Sequence, residues 1–314
     1  MTLLELLVVV FLLSAVAASA ISLADSTDAQ ARFDLTLSRR EQIRTAILGS
    51  DRTANGQRVV SGFAADMGRL PLSVSELIEP PSADALWAAD PTRIVGRGWR
   101  GPYLPTRIDN GRLVFSDGWG TSTAGNDYGW SFALASEAAD PPTLLSVLNL
   151  ASRGRDGQPG GVEAYDQDYP GVAAPLIRKR DWNTSVTVRP AAPITVTLRN
   201  DGTTTIVRYN VHLQLAVPEV DSLAVIWTAK IRSDPAIPSI NLAPGASVDI
   251  PFALPSGTFD VASGLRVIEI VEVVGPTVTP IGQGPPITVQ LDPGQSLVLD
   301  ALPQLLNPTW RVDP

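Results

Sequence analysis

Few residues in this 314-residue chain have the type and spacing to do chemistry. Glu5 is the most unusual of them. It stands in the string TLLELLVVVFLLSAVAASA, and no other charge occurs before Asp25. A carboxylate inside an apolar segment costs a few kcal/mol or more unless a cation meets it. His212 is the only histidine and there is no cysteine. This excludes a multi-His metal centre, a Cys-based zinc site, disulfides and thiolate chemistry. A nucleophilic triad would have to recruit His212 from the outer face of a strand, and no G-x-S-x-G elbow occurs, so the chain is not expected to be an enzyme. The string from Gly96 to Gly101 matches GxGxxG in form only, because no buried strand precedes it and no amphipathic helix follows. Asn183-Thr184-Ser185 is a glycosylation sequon by pattern alone.

The elements that carry these residues follow from composition and periodicity. Hydrophobic residues make up 44% of the chain and charged residues 18%, which excludes a disordered chain. The net charge of −8 argues against nucleic acid as a partner, and the basic charge is nearly all Arg. Twenty-seven prolines and 25 glycines favour short strands and turns over a helical bundle. Residues 6–24 hold no charge, about the length that crosses a bilayer as a helix. Beyond Asp25, Ala29, Phe33, Leu37, Ile43 and Ile47 recur at helical spacing with a polar opposite face, and no Gly or Pro interrupts before Gly49. One helix of about fifty residues is expected, half apolar and half amphipathic. The alternative is two helices with a break near residues 22–26.

Three readings of the N-terminus compete. A cleaved signal peptide needs a cationic n-region, which is missing. A plain signal anchor gives Glu5 no task. In the third, Thr2-Leu3-Leu4-Glu5-Leu6 and the apolar run after it resemble the mature N-terminus of the type IV pilin and type II secretion pseudopilin superfamily. That resemblance implies numbering from the mature residue, with Met1 where Phe is usual. It also implies processing by a prepilin peptidase, and pairing of Glu5 with the Met1 α-amine of a neighbouring subunit.

Four further strings, in order, resemble the major pseudopilin. They are Gly68-Arg69-Leu70-Pro71, then Trp99-Arg100-Gly101-Pro102-Tyr103-Leu104, then Asp117-Gly118-Trp119-Gly120, and the glycine-rich segment from Ser152 to Gly161. The chain departs from the family in having Gly118 where its D-P-W-G motif has proline, and in a longer stretch between Gly120 and Ser152. The resemblance implies a calcium site in the last segment, with Asp156 as a ligand and Asp166 or Asp168 supplying the later carboxylate. Ca²⁺ takes six to eight hard oxygens and tolerates irregular loops. Between these strings, Ser73 and Glu76 read as the capping box of a short helix.

From about Val186 the pattern changes to period two. Ile194, Val196 and Leu198 point one way, and so do Val207, Tyr209, Val211, Leu213 and Leu215 in the next strand, with His212 outward. Asn200-Asp201-Gly202 reads as the turn between them. Pro244-Gly245 and Pro293-Gly294 each precede an apolar strand. These features imply a β-sandwich, and the turns resemble bacterial immunoglobulin-like surface modules. Residues 169–193 read as a linker with solvated charges.

The expected fold class is α+β: a long N-terminal helix packed on a small antiparallel sheet, then an all-β Ig-like sandwich. The expected divisions are 1–53, 54–182 and 183–314. The expected role is a structural filament subunit, a homo-oligomer held in the inner membrane before assembly and then in a periplasmic or extracellular filament. The family implies an assembly ATPase and a membrane platform as partners, and the Ig-like part a surface ligand. The alternatives are a minor or tip pilin and a membrane-anchored binding protein.

Overall fold

The computed structural model describes residues 3–50, 52–54, 57–59, 61–90, 93, 95–109, 111–120, 127–138, 140, 145–171, 175–189, 193–221, 224–281, 287–299 and 309–312. The chain is α+β. One helix, Leu3–Leu48, runs unbroken for 46 residues, about 70 Å at 1.5 Å per residue. It passes through residues 22–26 without a break and stops before Gly49. Its first half is bare: Leu3, Phe11, Val16, Ile21 and Leu23 are all exposed, Phe11 at 70%. Along it the hydroxyls of Ser14, Ser19 and Thr27 donate to the carbonyls of Val10, Ala15 and Leu23, so these three groups are satisfied within the helix. Its second half packs on the body through buried Ala29, Thr36, Ile43, Ala46 and Ile47, with Phe33 and Leu37 half-buried.

Among the described residues the body begins with four separate two-stranded antiparallel ladders, where one small sheet was expected. They pair Arg52–Ala54 with Gln57–Val59, Ala88–Asp90 with Val95–Arg97, Arg107–Asp109 with Arg112–Val114, and Trp130–Ala135 with Val147–Ser152. Strands three residues long, separated by Gly- and Pro-rich turns, are too short to recruit a third neighbour. Side chains from the last ladder and the intervening turns, including Trp130, Leu148, Trp99 and Leu70, join Ile43 and Ile47 in one core. Ser73 does not close a capping box. Its hydroxyl meets that of Ser75, and the Glu76 carboxylate is held by Arg69 and the Leu72 N–H.

Among the described residues the second half holds strands and no helix. Ile206–Asp221 and Gly264–Val274 pair antiparallel at the centre of a six-stranded sheet. Ile194–Asn200 lies between Ser247–Phe252 and Thr309–Val312, and Asn183–Val188 lies between Gly257–Ala262 and Ser296–Leu299. All three sheets contribute to a shared apolar core that includes Val186, Leu198, Leu213 and Ile268. The Asn200 turn therefore carries the chain from one sheet to another and closes no hairpin.

The strand 206–221 changes which face looks inward. Ile206 is buried while Val207 and Tyr209 are exposed, contrary to expectation, and beyond Asn210 the inward set is Val211, Leu213 and Leu215. Asn210 has φ 48°, and one left-handed residue within a strand reverses the side-chain alternation around it.

The two halves are fused. Residues 169–193 are no free linker: Leu176, Ile177 and Trp182 sit in the core, and Trp182 Nε1 donates to Ser146 O at 3.0 Å. Lys179 Nζ reaches Asp140 at 2.5 Å and Asp260 at 2.6 Å, joining both halves, while Arg180 stays solvated. Burial would lower the Lys179 pKa, but its two carboxylates outweigh that and raise it. Gly68, at φ 72°, lies so close to the strand 206–221 that a Cβ there would sit 1.9 Å from Pro218 O. Arg93 forms two hydrogen bonds to Glu269, at 2.8 and 3.0 Å, and Glu269 also accepts from Gln214. Buried Arg266 donates to the carbonyls of Ala65, Ala262, Ser263 and Leu265, and burial pushes its pKa down to about 9.

Removing one partner of a buried ion pair costs about 3–5 kcal/mol. Arg93→Ala is therefore expected to destabilise the full chain by about 3 kcal/mol, and Arg93→Met with Glu269→Met to recover only part of that, because Asp90 also loses its 2.7 Å bond from Arg93. Urea denaturation in detergent measures both. The halves are expected to unfold in one transition, and two separate transitions in the parent chain would refute the fused seam.

Candidate functional site

The site that the sequence singles out is the N-terminal helix with the collar that grips it. Glu5 lies within the first turn of Leu3–Leu48, and Met1 lies outside the described residues. By length and composition this helix can cross a membrane as an anchor, and a signal sequence would pass the same test. None of the most apolar stretch is covered by the rest of the chain among the described residues.

The collar is the turn at residues 117–120 and the loop after Ser152. Asp117 is fully buried. Its Oδ1 accepts from the N–H groups of Trp119 and Gly120, and its Oδ2 accepts from Ser152 Oγ at 2.7 Å. Burial raises its pKa, and these hydrogen bonds together with Arg39 offset part of that rise. Arg39 donates from the helix to the carbonyls of Ser116 and Asp117, and the Gly118 N–H donates to Thr36 Oγ1. Gly118 lies flat against the helix: a Cβ there would fall 1.9 Å from Arg32 O. No residue with a side chain fits this approach, proline included, so glycine is what this docking requires.

The loop is closed by a reciprocal pair of backbone hydrogen bonds between Ser152 and Tyr169, at 2.7 and 2.9 Å. Tyr165 and Tyr169 pack edge-on against Phe33 of the helix, Tyr165 also meets Trp119, and the Tyr165 hydroxyl donates to Gln30. The collar thus grips the helix between Gln30 and Arg39.

The expected calcium ligands, Asp156 with Asp166 or Asp168, lie in the loop between Ser152 and Tyr169. No group of three His, Cys, Asp or Glu side chains placed to hold a metal occurs among the described residues. Asp156 Oδ1 accepts from Gln158 N within its own turn. Asp168 fits better, because its Oδ1 is buried with no hydrogen-bond partner.

The remaining singled-out residues are structural. His212 is half-buried, with Nδ1 2.8 Å from Ser233 O. Asn183 of the sequon is buried, out of reach of a modifying enzyme. In the Gly96–Gly101 segment, Gly98 N donates to Asp66 O, and Arg100 and Tyr103 both hold the Asp66 carboxylate. Sequence reasoning missed Asp66, Arg39 and Asp140. Of these, Asp140 lies in the longer stretch after Gly120, and that length was the available signal.

No protein-family model matches the chain, and no match to it was found among curated proteins or solved structures.

Gly118→Ala is expected to lift the collar from the helix and cost more than about 2 kcal/mol, read as a fall in thermal midpoint. Asp117→Asn is expected to stay within about 1 kcal/mol of the parent. Because burial raises the Asp117 pKa above its unfolded value, ionisation costs stability. That cost is absent at low pH and grows as pH rises from the unfolded toward the folded pKa. The midpoint of Asp117→Asn should therefore gain on the parent between pH 4 and pH 7.

Proposed function

We propose that this chain is a structural subunit of a type IV pilus-like or type II secretion pseudopilus filament. One observation carries the reading: a single helix is gripped by the body over its second half and bare and apolar over its first. A bare apolar rod must be covered by lipid or by copies of itself. Moving it from bilayer to filament core costs little, since both are apolar and neighbouring helices supply the packing. Serine and threonine hydroxyls bonded within the helix suit both settings.

In this reading the subunit waits in the inner membrane and then joins a periplasmic or extracellular filament. Glu5 selects register by pairing with the Met1 amine of a neighbour, because an unpaired carboxylate in the apolar core is costly. A prepilin peptidase, a membrane platform and an assembly ATPase are the partners. The body coats the filament, and its second half, read as an immunoglobulin-like sandwich, lies outside. A minor or tip subunit, or a membrane-anchored binding protein, is the second reading. It is favoured by the sheet edge at Gly257–Ala262, whose outer side no strand pairs among the described residues.

Calcium belongs to the same proposal, with Asp168 the favoured member of the expected set of Asp156 with Asp166 or Asp168. Asp168 with its free oxygen would hold the ion together with main-chain carbonyls of the loop, and the ion would tie the loop to the helix.

Glu5→Leu is expected to insert in the membrane as the parent does but to lower sheared filament yield by about tenfold or more, equivalent to about 1.4 kcal/mol per subunit added. Unchanged yield would remove the filament role of Glu5. Adding Ca²⁺ should raise the thermal midpoint, and Asp168→Ala should abolish that rise. A rise that survives Asp168→Ala would place the ion elsewhere.

A further inference from the structure

A cavity of about 720 Å³ opens between the two halves, within the size range of ligand sites and at the kind of boundary they favour. Its apolar lining includes Leu72, Leu134, Leu145, Trp182 and Phe259, and both lysines of the chain, Lys179 and Lys230, face it. The two lysines differ. Lys179 is neutralised by Asp140 and Asp260. Lys230 is exposed and forms no ion pair among the described residues. It is the extra residue of a bulge, since Leu215 pairs with Ile231 while Ala216 pairs with Ala229.

Two sheet edges border this cavity. Ala224–Arg232 is the outer strand of the six-stranded sheet, but its bulge and the bond from Arg97 Nε to Val225 O spoil it as a template. Gly257–Ala262 is different. It pairs with Asn183–Val188 on one side, and no strand pairs its other side among the described residues. The direction of its backbone groups follows from its neighbour. Ser185 N donates to Gln295 O, away from this strand, so the facing pair of Asp260 and Ser185 exchanges no ladder hydrogen bonds. Ser263 N donates to Trp182 O, in phase with that pattern. By alternation, the N–H and C=O groups of Thr258 and Asp260 point outward along the open edge. Both residues line the cavity.

We propose that this cavity takes an extended, acidic peptide segment of a partner protein, which adds as a strand to the edge at Thr258 and Asp260. Main-chain bonds at the edge would supply affinity, and alternate side chains would enter the apolar lining. A carboxylate on the peptide, placed away from the exposed Glu219 of the same lining, would meet Lys230. Lys230 forms no ion pair among the described residues, while Arg69 and Lys179 are held by Glu76, Asp140 and Asp260. The inference concerns the β-rich half and is independent of the filament reading.

The test uses the full chain in detergent and a fluorescent peptide, Val-Thr-Val-Asp-Val-Thr-Val, beside a version with Lys in place of Asp. Anisotropy should show saturable binding of the acidic peptide, with the Lys version roughly tenfold weaker. Lys230→Glu should reverse that order. Thr258→Pro removes an outward N–H and no ladder bond, so it should abolish binding while leaving the thermal midpoint near that of the parent. On the parent chain, hydrogen exchange at the Thr258 and Asp260 amides should be fast alone and slow with peptide, a readout that holds even if Thr258→Pro misfolds. No saturable binding at millimolar peptide would overturn the proposal. Binding that leaves both amides unprotected would also overturn it.

Discussion

The structure depends on one constraint: the apolar first half of a 46-residue helix finds no cover in its own chain. Twelve large apolar side chains between Leu3 and Leu23 stand exposed. At about 1.5–3 kcal/mol for each buried side chain, covering them is worth on the order of 20–30 kcal/mol. That exceeds the net stability of a typical domain, so whatever covers this rod decides where the molecule resides. Everything else in the fold either grips the rod or is tied to what grips it.

The grip is built from contacts that tolerate little change. Gly118 lies against the helix carbonyls, Asp117 holds the turn that places it, and Arg39 reaches out from the helix to the same turn. From there the connection runs through the core around Trp130 and Ile43 to Trp182, and across the seam through Arg93, Glu269 and Arg266. The β-rich half is thus joined to the rod by buried contacts and not by a tether. In a polymer of such units, its position would be set by the helices in the core.

Much of this was legible in the sequence, and the reasons for the rest are local. The helix could be read because nothing breaks it before Gly49, and its buried face because Ala29, Ile43 and Ile47 keep helical spacing. Ile194, Val196 and Leu198 also followed their alternation inward. Val207 and Tyr209 did not, because Asn210 adopts a left-handed conformation that no alternation pattern reveals. The supposed linker misled because its prolines and charges outweighed Leu176, Ile177 and Trp182 in the reading. The capping box failed because Arg69 takes the Glu76 carboxylate, and that is a tertiary choice. Within the site, the helix and its odd carboxylate were visible in the sequence, while the collar's grip rests on close approaches that only coordinates reveal.

The most direct test is electron microscopy of material sheared from cells that make this protein, with mass spectrometry of the subunit N-terminus. The account predicts regular filaments built of this chain, with a subunit N-terminus trimmed by a prepilin peptidase. Monomers that stay soluble only in detergent, with an untrimmed N-terminus and no filaments, would contradict it.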